Sequence, residues 1–169
     1  MHREILNDLE KWKDKSRRKP LILTGVRQCG KTYIVNEFAR KNFESYVYVN
    51  FESDETLAAI FDYDFDVDRI IKELEQHFKI QITPGKTLIF FDEIQECTRA
   101  ITSLKYFCEK KRELHVVCAG SLLGVALKKK LKQNWLRSRN YRWKVRLIKH
   151  ILRCICLISV CCEPNPKYL

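Results

Sequence analysis

No stretch of this 169-residue chain is apolar for long enough to cross a bilayer. The longest apolar run, CICLISVCC (Cys154–Cys162), falls well short of the roughly 18 residues a spanning helix needs. The opening MHREILNDLEKWK mixes both charges and lacks the unbroken apolar core of a secretory signal. No internal repeat recurs, which argues against solenoids and propellers. The 8 cysteines show no spacing of a secreted disulfide framework, so a reduced, cytoplasmic protein is expected. All 5 glycines precede residue 128, and the stretch after it offers no clear turn until Pro164.

Length allows one domain with a real core. The net charge of +11 is not spread evenly. Residues 128–169 hold 12 Lys/Arg against one acid, Glu163, while residues 1–127 balance 20 bases against 20 acids. The basic character therefore belongs to the tail. Two segments are expected: a neutral core over 1–127 and a basic, cysteine-rich tail over 128–169 that is weakly structured.

Strand and helix signals alternate through the core. Residues 3–13 place Ile5, Leu6, Leu9 and Trp12 on one helical face, and Lys19-Pro20 ends that segment. Leu21–Thr24 reads as a buried strand, followed by a glycine loop and a helix to about Arg40. SYVYVNF (Ser45–Phe51) has strand composition, and VDRIIKELEQHF is a helix with Ile70, Ile71, Leu74 and Phe78 inward. TLIFFDE (Thr87–Glu93) is a buried strand ending in two carboxylates. A helix over about 98–111 and a strand, LHVVCAGS (Leu114–Ser121), complete the core. Such alternation predicts an α/β fold with a parallel sheet and covered faces.

Two short motifs carry the chemistry. GVRQCGKT (Gly25, Val26, Arg27, Gln28, Cys29, Gly30, Lys31, Thr32) follows a strand and opens a helix, which is the phosphate-loop pattern. Its glycines allow a tight turn whose N–H groups meet phosphate oxygens, and the helix N-terminus adds positive field. Lys31 would reach the β- and γ-phosphates, and the Thr32 hydroxyl would ligate Mg²⁺. Cys29 lies where bound nucleotide would shield it from alkylation. The second motif is FFDE, placed at the carboxyl end of a parallel strand, where open α/β sheets bind ligands. There Asp92 would hold Mg²⁺ through water and Glu93 would act as base for an attacking water. No Asn-Lys-x-Asp segment reads guanine, so ATP is favoured over GTP.

GVRQCGKT, IFFDEIQ and VVCAGSLLGVAL, in that order, resemble the bacterial and archaeal AAA-type ATPases that join an AAA_14 core to a DUF4143 region. The resemblance runs to about Leu127. It implies a P-loop NTPase sheet of the ASCE/AAA type with strand order 5-1-4-3-2. It also implies that Ser121 senses the γ-phosphate, and Arg27 and Gln95 match the family pattern. The fifth strand, the γ-phosphate-contacting arginines and the large C-terminal region are not readable after Lys128. The tail therefore reads as truncated or out of frame, which would leave Leu21–Thr24 at a sheet edge. On that reading, deleting it leaves ATP affinity within about threefold. The competing reading, that Leu147–Cys162 substitutes for the lost fifth strand beside Leu21–Thr24, predicts that deletion loses ATP binding or precipitates the protein.

Weaker patterns point elsewhere. DYDFDVDRIIKE sets Asp62, Asp64, Asp66 and Glu73 at calcium-loop spacing, but Val67 stands where the turn requires glycine; an acidic turn capping the next helix is the better account. Cys154, Cys156, Cys161 and Cys162 lack a second set of ligands for zinc. The arginines around Trp135, Tyr141 and Trp143 supply the rival reading, a nucleic-acid-binding module that uses nucleotide as a switch. A third reading is a non-functional truncated fragment. None of these signals names an oligomeric partner.

Overall fold

The computed structural model describes residues 2–121 and 156–160. Helix α1 (His2–Lys13) leads into strand β1 (Leu21–Gly25) and helix α2 (Lys31–Asn42). Then come β2 (Ser45–Asn50), the short α3 (Glu55–Ala59), α4 (Val67–Phe78), β3 (Thr87–Asp92), a 3-10 turn (Ile94–Glu96) and α5 (Thr98–Lys110). β4 (His115–Ser121) and β5 (Cys156–Val160) finish the sheet. All strand pairs are parallel, in the order β2-β3-β4-β1-β5. That is the expected AAA-type order.

Strand alternation builds two cores, one on each face of the sheet. Ile22, Val47, Val49, Ile89, Phe91, Val116 and Cys118 face α4 and α5. Their neighbours in sequence, Leu21, Leu23, Leu88, Phe90, Val117 and Ala119, face α1 and α2. Because both faces are covered, the strands read as continuous apolar runs rather than alternating ones. Trp12 seals the second core and donates from Nε1 to the Lys19 carbonyl at 2.8 Å, tying the α1 exit to the start of β1.

The acidic turn before α4 is held by its own partners. Asp66 caps the helix, accepting from Asp68 N at 3.2 Å, and Asp64 pairs with Arg69 at 2.8 Å. Among the described residues no group of three or more His, Cys, Asp or Glu side chains could hold a metal.

The expected edge position of β1 is not found. Leu21–Gly25 lies between β4 and β5, with Leu23 opposite both Ala119 and Ile158. CLISV is aliphatic and free of turn formers, the composition of a parallel strand, and it occupies the fifth place in the sheet. The aromatic and arginine cluster around Trp135, Cys154, Cys161 and Cys162 lie outside the described residues.

Candidate functional site

The glycine loop closes on its own lysine. Gly30, the N-cap of α2, sits at φ 83°, and Gln28 also has a positive φ of 62°. A Cβ at Gly30 would meet nothing within 4 Å, so glycine serves the backbone angle there rather than the space. The turn this permits brings Lys31 back across the loop. Its side chain is buried, and Nζ donates to the Val26 carbonyl at 2.7 Å and the Gly25 carbonyl at 3.2 Å. The Cys29 Sγ lies 3.7 Å from the same nitrogen. An ammonium fixed at the loop mouth, beside the N-terminus of a 12-residue helix, is a concentrated positive field. Val26 projects outward, 59% exposed, and Arg27 turns aside to pair with Glu52 at 2.7 Å.

The two motifs meet at Asp92. It ends β3 buried, and its Oδ2 accepts from the Thr32 hydroxyl at 2.7 Å. The Tyr48 hydroxyl donates to the same oxygen at 3.1 Å, while Oδ1 accepts from Glu93 N at 3.0 Å. A carboxylate offers about four acceptor positions, so three donors leave about one open. A hydroxyl and a carboxylate converging in this way form a hard oxygen set of the kind that suits Mg²⁺. Burial, then the charge of Asp92 and its hydrogen bond, pushes the Tyr48 phenol up to about 12, so it stays a donor at neutral pH.

Glu93 leaves the strand in the left-handed region, at φ 46°. Its carboxylate accepts from the side-chain amide of Gln95, in the 3-10 turn that follows. Ser121 ends β4, the strand between β1 and β3, and lies opposite Gly25 in register. The phosphate loop, Asp92, Glu93 and Ser121 thus share the carboxyl end of one sheet.

Tyr48, Asn50 and Glu52 are the polar partners that the sequence did not single out. Asn50 lies opposite Asp92 in the β2–β3 register, and its Nδ2 contacts the Tyr48 hydroxyl at 3.3 Å. Its Oδ1 accepts from Glu52 N at 2.9 Å. Arg27, Glu52, Asn50, Tyr48 and Asp92 therefore link the loop to the carboxylate by a second route. Spacing by two residues puts Tyr48 and Asn50 on one strand face, but only pairing with β3 reveals what that face meets.

A strand, a glycine loop and a helix, with an acid at the end of a nearby parallel strand, define a nucleotide-binding module of the P-loop ATPase class. The comparison with known families makes this specific. Residues 17–145 match AAA_14, described as an AAA domain, and the chain belongs to that family. The match runs past Leu127, where the readable motifs end. No protein of curated function matches the sequence. Among solved structures, the chain is similar in fold to the Aeropyrum pernix ORC1 protein, determined in complex with DNA. The TM-score is 0.53 at 13% identity, over 98% of this chain and 46% of that one. PCH-2 of C. elegans superposes with a TM-score of 0.49 at 13% identity, over 97% of this chain and 42% of the other. This chain spans less than half the length of either. No helix among the described residues is long and apolar enough to cross a membrane.

Proposed function

We propose that this chain binds Mg-ATP at the carboxyl end of its sheet and hydrolyses it slowly. The observation that carries the reading is the 2.7 Å bond between Thr32 and Asp92, which joins two motifs sixty residues apart. In this reading the N–H groups of residues 25–32 hold the phosphates and Lys31 balances their charge. Thr32 and Asp92 would hold Mg²⁺, which would offset negative charge on the bound phosphates. Glu93 takes a proton from the water whose oxygen attacks the γ-phosphorus, as the bond to the leaving ADP breaks. Ser121 reports on the γ-phosphate. Buried thiols at Cys97, Cys108 and Cys118 support a reducing, cytoplasmic setting.

The test is the metal dependence of binding. Asp92→Asn should keep ATP affinity in EDTA and lose most of the gain that Mg²⁺ gives the wild type, as read by calorimetry. An unchanged Mg²⁺ gain would remove Asp92 from the metal site. The charge asymmetry supports a second reading, in which residues 128–169 contact nucleic acid and nucleotide acts as a switch.

A further inference from the structure

The ring of donors around Asp92 contains a residue with no part in either motif. Tyr48 stands on β2, its ring half-buried against Phe90 at 5.3 Å between centroids, and its hydroxyl ends on Asp92 Oδ2. Thr32 reaches that oxygen from the α2 side, and Glu93 N–H holds the other oxygen from the chain just beyond. We propose that Tyr48 is a positioning residue for the metal site, fixing the Asp92 carboxylate so that the Thr32 oxygen faces the cation.

The proton of the Thr32 hydroxyl sets what its oxygen can bind. A hydroxyl has one proton and two lone pairs. When that proton points at Asp92 Oδ2, the lone pairs are left free to accept a cation. This arrangement lasts only while Oδ2 stays in place. The Glu93 N–H fixes one end of the carboxylate and leaves it able to swing about that contact. Tyr48 supplies the second anchor, and Asn50 steadies the phenol in turn, itself held by the Glu52 N–H. A strand-borne aromatic is a stiff support, since only two side-chain torsions separate its ring from the sheet. The phenol therefore acts through Asp92.

This inference rests on the proposed Mg-ATP reading, and one calorimetric design separates the two. ATP is titrated into wild type, Tyr48→Phe and Asn50→Ala, each with Mg²⁺ and with EDTA. Tyr48→Phe keeps the ring against Phe90 and removes one oxygen. It should leave affinity in EDTA within about twofold and cut the Mg²⁺-dependent gain about three- to tenfold, the range for losing one ordinary hydrogen bond. Asn50→Ala should cut the gain in the same direction and by less. An unchanged gain in Tyr48→Phe, or equal losses with and without Mg²⁺, overturns the positioning role alone. A wild type that binds no ATP, or binds it without any Mg²⁺ gain, overturns the underlying reading as well. Should Tyr48→Phe fail to fold, the Asn50→Ala result decides: an unchanged gain there refutes the role.

Discussion

His115 offers a way to probe the α1/α2 core through pH. The residue opens β4 only 4% exposed, with the rings of Trp12 and Phe43 edge-on at 5.8 Å and 4.9 Å. Its Nδ1 accepts no hydrogen bond from any described residue. Burial, and then the nearby Arg18 guanidinium, lowers its pKa to about 4. A backbone bond with Lys13 and the charge of Asp14 oppose this, and the Lys13 charge adds to it. In the unfolded chain the imidazole titrates near 6.5. Above that pH both states are neutral and the contribution is fully present. Between about 6.5 and 4 the unfolded chain binds the extra proton, so stability falls as the pH falls. The whole difference would cost about 3 kcal/mol; with the ring beside Lys13 and Arg18, near the surface, solvent screening brings this to about 2 kcal/mol. Urea melts of wild type and His115→Phe at pH 7.5, 5.5 and 4.5 would measure it. Carboxylates titrate in both proteins, so the difference between them isolates His115. The wild type should lose about 2 kcal/mol more than the variant on acidification. Equal losses, or a larger loss in His115→Phe, would refute the buried neutral imidazole.

Two further outcomes are expected. Glu93→Gln should bind ATP as the wild type does and lose whatever turnover exists, because an amide cannot accept the proton from water; phosphate release at the wild-type rate would remove Glu93 as the base. Removing residues 128–169 should lower the melting temperature and weaken ATP binding more than threefold, since β1 carries the phosphate loop and would lose its β5 partner. If that deletion leaves melting and affinity unchanged, the tail is not part of the fold; if it abolishes a salt-dependent affinity for duplex DNA, the nucleic-acid reading gains its support.

The sheet was legible because its strands are buried on both faces. Leu21–Thr24 and Thr87–Glu93 stand out as short apolar runs closed by glycine or acid, and they appear as Leu21–Gly25 and Thr87–Asp92. The one-residue difference at Glu93 is chemical, since its backbone turns left-handed to leave the strand. Cys156–Val160 was harder to place. CLISV is apolar enough for a strand, but it follows a long basic stretch without glycine, where no turn marks the start of a new element. At the site, the phosphate loop could be read because its geometry demands Gly30 at one position and a lysine after it. Tyr48 carried no such mark. An aromatic in a strand is ordinary sheet composition, and its meeting with Asp92 depends on the β2–β3 register, which no local pattern encodes. Arg27 shows the reverse case: it lies inside the phosphate-loop motif, yet its side chain is spent on Glu52.

Lys31 is the cation that the loop folds around. Calorimetric titration of Mg-ATP into wild type and Lys31→Ala measures its role directly. The variant should lose at least tenfold in affinity, about 1.4 kcal/mol. Equal affinity in the two proteins would contradict it.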